Sequence, residues 1–362
     1  MALLNKIYSI LLMSAATTWL TSCYTEFDPD IESTPVLCMN STITPGEPIT
    51  LYLTRTWTWT EGDEDKIDIN VRDAEVRLTV NGKYRETLKH TIIRNPYYPS
   101  GPYPEERECY MSEYRPESGD IIRLEAASVR YGDASAEATV PYPVPIDRIE
   151  PQVISCQING DASGFPAVAE GCQFNLKCNL YAYFTDPSAS TDFYDLTIGY
   201  SSSYQNNEEA YAYIYYLPYI NFSGEPLFKE HVSVIESIIA DTLYGYTVFS
   251  DRQINGLTYP LLIDFNELSF TYRNPQNLPG PKEYGIEVTL RHIDPTYYKH
   301  VISVWEGNDG IVGVLGGAGL ANAVFPYSNV STGAGVVAAY AEASLTIPMV
   351  DIIAIAEKGN FK

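Results

Sequence analysis

Cys23 is the residue whose surroundings specify a reaction most narrowly. It follows Leu20-Thr21-Ser22, and the segment before it runs from one early cation, Lys6, through an apolar stretch at Ile7 to Met13 into small and polar residues. A charged start, a short apolar middle and a small-residue cleavage zone make a secretory signal. The apolar run is too short to cross the ~30 Å hydrocarbon core as a helix. An ordinary signal needs only small residues before the cut, so a cysteine directly after Leu-Thr-Ser reads as a lipobox, at which the thiol takes lipid through a thioether and the chain is cleaved before it. Several acyl chains, each buried methylene worth ~0.8 kcal/mol, would hold the mature chain to a membrane. The expectation is a signal peptide over residues 1–22, a membrane partner through lipidated Cys23, and an acidic tether over 23–35.

No other constellation specifies chemistry so closely. His90, His231, His292 and His300 lack the spacing of a zinc site, and no cysteine pair accompanies them. The cluster Glu61-Gly62-Asp63-Glu64-Asp65 lacks the alternation and turn glycine of a calcium loop. There is no Gly-x-Ser-x-Gly elbow, and Gly313 to Gly319 is not followed by the Gly-Lys-Ser/Thr of a phosphate loop. Among 46 acidic residues some carboxylate pair suited to hydrolysis will always exist, so a surface hydrolase stays an alternative without a named site. No catalytic residue, metal or cofactor is expected.

Aromatic chemistry is the second signal. Tyrosine numbers 30 against 12 Phe and 4 Trp, and strand packing is the first use to expect for most of them. Tyr suits half-buried pleated surfaces, and in excess it suits a ligand surface, since it offers large area at low entropy cost. Tyr97, Tyr98 and Tyr103 in a proline-stiffened stretch, and Tyr211, Tyr213, Tyr215, Tyr216 and Tyr219 in a dense run, are the candidate contacts. Loss of Lys6 with the signal takes the net charge from −23 to −24, which would repel a phosphate backbone and excludes nucleic acid as a partner. Cys38, Cys109, Cys156, Cys172 and Cys178 are too many by one to pair completely; Cys156 and Cys172 could face each other across a hairpin, and free buried thiols are the commoner state.

The elements that must position these residues are strands. Val36 to Ser41, Ile49 to Thr56, Ala74 to Val80 and Ile121 to Val129 alternate, punctuated by Gly46, Asn81-Gly82, Ser118-Gly119-Asp120 and Gly132-Asp133. This predicts an Ig-like β-sandwich over 36–145, of about seven strands in ~100 residues. Pro141-Tyr142-Pro143-Val144-Pro145 reads as a semi-rigid linker, and a larger β-rich domain follows over 146–362. Its expected strands are Ile149 to Ile158, Cys172 to Thr185, Asp192 to Tyr204, Tyr211 to Ile220, Tyr259 to Phe265, Glu267 to Tyr272 and Tyr284 to His292. Glu230 to Asp241 looks helical. A second helix starts at Asp294-Pro295, with Tyr298, Val301, Ile302 and Trp305 on one face. The fold class is all-β with one or two short helices.

Several segments, in order, resemble an uncharacterised family of Bacteroidota lipoproteins, domain of unknown function 4249. They are Cys23 with Glu26 to Ile31; Pro35-Val36-Leu37 leading to Ile43-Thr44; Asp73-Ala74-Glu75-Val76; Phe249-Ser250-Asp251-Arg252-Gln253-Ile254-Asn255-Gly256; Tyr297-Tyr298; and Ser328-Asn329-Val330 with Gly333-Ala334-Gly335-Val336. Cys38 and Met39 depart from the more aliphatic first strand of that family. The acids after Cys23 are similar to the signal that sends such lipoproteins to the outer face of the outer membrane. The resemblance implies a surface-exposed, outer-membrane lipoprotein that accompanies a TonB-dependent transporter, as a ligand-binding or docking accessory to nutrient uptake. It brings no ligand residue. An adhesin or structural surface protein is the alternative.

Overall fold

Period-two burial builds the first half of the chain. The computed structural model describes residues 34–57, 61, 67–94, 105–159, 173–205, 210–216, 224–229, 247–271, 281–308, 313 and 324–358. Eight strands come first: β1 (Leu37–Ile43), β2 (Thr50–Arg55), β3 (Glu75–Val80), β4 (Lys83–Thr87), β5 (Lys89–Arg94), β6 (Glu106–Met111), β7 (Ile121–Ser128) and β8 (Gly132–Thr139). In β1 the odd positions Leu37, Met39, Ser41 and Ile43 are buried, because successive side chains of a strand point to opposite faces. They meet Leu51 and Leu53 of β2 on their own sheet, and Val76, Leu78, Ile122, Leu124 and Ala126 of the sheet β4-β3-β7-β8 across the core. Two sheets enclosing one apolar layer make a sandwich. The β3–β4 turn is the one its Asn-Gly pair predicts: Asn81 and Gly82 have φ of 51° and 75°, the left-handed pair of a type I′ hairpin.

The second half repeats the device. Its strands are β9 (Ile146–Asn159), β10 (Gln173–Thr185), β11 (Phe193–Gln205), β12 (Ala210–Tyr216), β13 (Val248–Ser250), β14 (Thr258–Thr271), β15 (Pro281–Ile293) and β16 (Ala334–Pro348). The sheet β14-β10-β9 turns Leu180, Ala182, Phe184, Leu261 and Ile263 toward Leu196, Ile198, Val288 and Leu290 of β11 and β15. The two strands expected over Tyr259–Phe265 and Glu267–Tyr272 are one strand. A register shift opposite Leu176 and Cys178 gives β14 an extra residue, which interrupts its alternation without ending its pairing.

The boundary expected at Pro145/Ile146 divides the cores but not the sheet. Before the proline stretch the first core's residues run to Val140, and it takes Val330, Val337 and Ala339 from far later in the chain; the second core begins at Val144. One nine-stranded sheet nevertheless runs β12-β11-β15-β16-β1-β2-β6-β5, with β13 on β11. β16 joins the halves, pairing in parallel with β1 from Ala334 to Ala339 and antiparallel with β15 from Tyr340 to Pro348. Residues 36–145 therefore do not close the first sandwich alone, and Pro35–Lys362 forms one compact unit.

Helix α1 (Pro295–Asn308) buries Tyr298, Ile302 and Trp305, the face its spacing predicts, against Val248 and Ile293. Its Asp294 cap is made: Oδ1 accepts the Tyr297 amide at 2.7 Å. Helix α2 (Met349–Lys358) follows β16 directly and puts Met349, Ile352, Ile353 and Ala356 into the second core. That spacing is itself helical, but α2 was not among the elements expected from the sequence. The helix expected at Glu230 to Asp241 falls outside the described residues.

Candidate functional site

Three aspartates from distant stretches converge at one end of the second core. Asp186 follows β10, Asp192 precedes β11 and Asp251 follows β13. All are almost wholly buried, and one carboxylate oxygen of each lies within 4.8 Å of the others. Backbone bonds assemble them: the Asp251 amide donates to the Asp192 carbonyl at 3.0 Å and the Asp186 amide to the Leu257 carbonyl at 3.0 Å. The stretch from Asp251 to Leu257 folds as two successive turns, with Ile254 driven into the core as their anchor.

Each carboxylate takes protein donors. Tyr194 Oη donates to Asp186 Oδ1 at 2.6 Å and the Gly256 amide to Oδ2 at 2.9 Å. Ser190 Oγ donates to Asp192 Oδ2 at 2.8 Å. Asn255 Nδ2 donates to Asp251 Oδ2 at 2.8 Å. His292 bridges, with Nε2 3.1 Å from Asp192 Oδ1 and Nδ1 2.8 Å from the carbonyl oxygen of Tyr142 in the proline stretch. Burial pushes the Asp186 carboxyl above the usual carboxylate range; the Tyr194 and Gly256 donors oppose this, while Asp251 and Asp192 reinforce it. Burial, then Asp186, pushes the Tyr194 phenol up, so Tyr194 stays a neutral donor. Its ring is fully buried, stacked on Phe249 at 5.2 Å and edge-on to Phe184 at 5.3 Å.

Two chemistries fit three carboxylates so close. They could share a hard cation through oxygen ligands, or share protons and donors as a structural knot. Four of the six oxygens accept a bond from a protein donor and a fifth, Asp192 Oδ1, lies 3.1 Å from His292 Nε2, and all three side chains are closed off from solvent. The arrangement is built to hold the Asp251–Leu257 turns, the β10–β11 connection and the proline stretch together.

On the opposite face of the same sheet a second polar row crosses β11, β15 and β16. Asp195, Arg291 and Glu342 are register partners. Arg291 lies 3.6 Å from Asp195, donates to Glu342 at 3.0 Å and stands over the Tyr340 ring, while Tyr297 of α1 donates to Asp195 at 3.1 Å. Burial works against the Arg291 charge, but Glu342, Tyr340 and Asp195 more than offset it and hold its pKa above the usual value.

Of the residues singled out from the sequence, Cys23, Tyr97, Tyr98, Tyr103 and Tyr219 lie outside the described residues. Tyr211, Tyr213, Tyr215 and Tyr216 fall on β12, opposite Tyr204, Ser202, Tyr200 and Gly199 of β11. β12 stands at one end of the long sheet, and the strands flanking Tyr97 to Tyr103, β5 and β6, stand at the other, seven spacings or ~34 Å away. The flanking strands do not bring the two tyrosine groups together. His90 meets Glu108, His292 meets Asp192 and His300 meets the Tyr327 carbonyl, so the described histidines converge on no common point. Cys156 is a free thiol opposite Leu176, and the β9–β10 pairing closes at Asn159 and Gln173, so the bridge from Cys156 to Cys172 is not made. The aspartate knot was not among the sequence-derived candidates. Its one local signal is the stretch Phe249 to Gly256, which carries Asp251, Asn255 and Gly256 together.

Residues 24–346 match the family described as a domain of unknown function, DUF4249. The chain belongs to that family. All the residues of the knot lie inside the family's span, as do β1 and nearly all of β16. No curated protein matches the chain. Among solved structures it is similar to one described as a putative membrane-anchored protein from Corynebacterium diphtheriae, at 10% identity over 72% of this chain and with a TM-score of 0.17. The match spans 55% of that structure's chain, and a likeness at this level carries no argument about fold or role.

Proposed function

We propose that this DUF4249 protein is a lipid-anchored module of the outer-membrane surface that docks on a TonB-dependent transporter or delivers ligand to it. The observation that carries the reading is Cys23 after Leu20-Thr21-Ser22, with acids at Glu26, Asp28, Asp30 and Glu32 directly behind it. On this reading the acidic tether expected over residues 23–35 links the lipid to strand β1, which starts at Leu37, and thirteen residues of chain can span at most ~45 Å. Such a leash keeps the folded body within touching distance of a neighbour in the same membrane. No helix among the described residues is long and apolar enough to cross a membrane. The buried knot supports a rigid docking body, since its carboxylates are turned inward and committed to protein donors.

The first test is attachment. Cys23→Ala should abolish incorporation of labelled palmitate and shift the protein from the membrane to the soluble fraction; labelling that persists in the variant would remove the anchor from the reading. The second test is the partner. Crosslinking in intact outer membranes, followed by mass spectrometry, should recover a TonB-dependent transporter. Repeated recovery of none, with Cys23 lipidated, would discard the docking role and leave an adhesin as the better reading.

A further inference from the structure

We infer that β16 is a closing clasp: neither sandwich locks until this strand docks, so the two cores form and open together. About 300 residues of chain separate β1 from β16, yet they pair directly, Cys38 with Ala334 through Ile43 with Ala339. The strand then changes partners between Ala339 and Tyr340, and continues along β15 from Ile293 to Gly285. Both cores take side chains from it. Val337 and Ala339 lie in the first, Ile347 and then Met349 and Ile352 of α2 in the second.

Dedicated contacts fasten each step of this path. Asn329 donates from Nδ2 to the Glu137 carbonyl at 3.0 Å and to the Val337 carbonyl at 2.8 Å, and its Oδ1 accepts the Val337 amide at 3.0 Å. Ser331 exchanges backbone bonds with Ser135, so the entering segment stitches to β8 of one sheet before joining β1 of the other. At the change of partners, the Asp294 amide donates to the Ala339 carbonyl at 2.9 Å and Asp294 Oδ2 accepts the Ala339 amide at 3.1 Å. Entry into β16 also requires a special residue: Gly335 has φ of +98°, and a Cβ there would lie 2.3 Å from the Met39 carbonyl oxygen. Remove the strand and β1 and β15 each lose a partner along one edge, while both cores lose apolar side chains.

Hydrogen exchange on the full mature chain tests the coupling. Val337→Ala removes volume only from the first core, and should speed exchange of the slowest amides about tenfold or more. On the clasp reading the same factor appears in β10 and β14 of the second core as in β3 and β7 of the first. Ile347→Ala should produce the converse, with β3 and β7 following β10 and β14. Acceleration confined to the core that holds the substituted residue would overturn the proposal. Gly335→Val is the severe form, expected to expose both cores to protease at one rate; should it fail to fold, the two alanine variants still decide. None of these outcomes depends on lipid or transporter, so failure here leaves the proposed membrane role standing, and the reverse also holds.

Discussion

Asp294 shows how much one carboxylate can be asked to do. It caps α1, fixes Ala339 where β16 changes partners, and is almost wholly buried. Burial pushes its carboxyl up to about 6, against the pull of the Tyr297 and Ala339 amides. The folded state thus binds a proton more tightly than the unfolded chain, in which an Asp titrates at its ordinary value of 3.8. By linkage, this group's contribution is greatest below about pH 4 and is lost as pH rises through about 6, a decline on the order of 3 kcal/mol for the isolated group. Urea melts of wild type and Asp294→Asn at pH 4.5 and 7 should show a difference that changes with pH in that direction. Asp294→Ala should cost about 2–4 kcal/mol at pH 4.5, because the helix cap and the partner of a buried amide go together, and less at pH 7, where the raised carboxyl no longer contributes by linkage. In the aspartate knot, Tyr194→Phe strips a donor from a buried carboxylate and should cost about 1–3 kcal/mol in the same melts. Of these two sites only the first was legible in the sequence. Asp294-Pro295 announces a cap because its partners are the next few residues, whereas Asp251 finds Asp186 and Asp192 through pairing that no neighbouring residue specifies.

Elements are most exposed where a sheet ends, and β14 shows how that end is sealed. Glu225 is buried beside it: Oε2 accepts the Leu262 amide at 2.8 Å, and Oε1 accepts Tyr259 Oη at 2.7 Å and the Leu227 amide at 3.1 Å. A carboxylate thus takes the place of a strand partner, one of the ways native sheets blunt an open edge. Glu225→Ala should cost about 2–4 kcal/mol in urea melts by leaving buried donors unpaired, and should speed exchange at the Leu262 amide ahead of the rest of β14. If the Leu262 amide exchanged no faster than its neighbours, the edge would have another seal. At this scale the sequence spoke clearly for β1, β2, β3, β7, β10, β11 and α1, where alternation or helical spacing is unbroken. It was misleading at β14, where a bulge imitates a strand end, and silent on β8, whose Gly, Asp, Ser and Ala residues carry little β preference. β8 is a strand because Ala134, Ala136 and Ala138 fit beneath the facing sheet, a fact of packing rather than propensity.

For the whole molecule, the consequence of two cores on one sheet is a single unfolding transition. Closing a parallel pair between residues 296 apart, as the Val336 to Asn40 contact requires, costs about 5 kcal/mol of loop entropy, which only the joint burial from both cores repays. Calorimetry of the mature chain should therefore give one peak with agreeing calorimetric and van't Hoff enthalpies; two peaks separated at the Val140/Val144 boundary would mean the halves fold alone. The sequence by itself determined what depends on near neighbours: the alternation that commits the chain to strands, the Asn81-Gly82 hairpin, the Asp294 cap, and the proline stretch between cores. Only the tertiary structure decided which strands are neighbours, that β16 lies beside β1, and that three aspartates share one knot. The reason is physical. Periodicity records which face of a strand is buried, but the backbone edge that selects a partner is nearly the same in every strand, so partner choice is settled only when whole sheets pack.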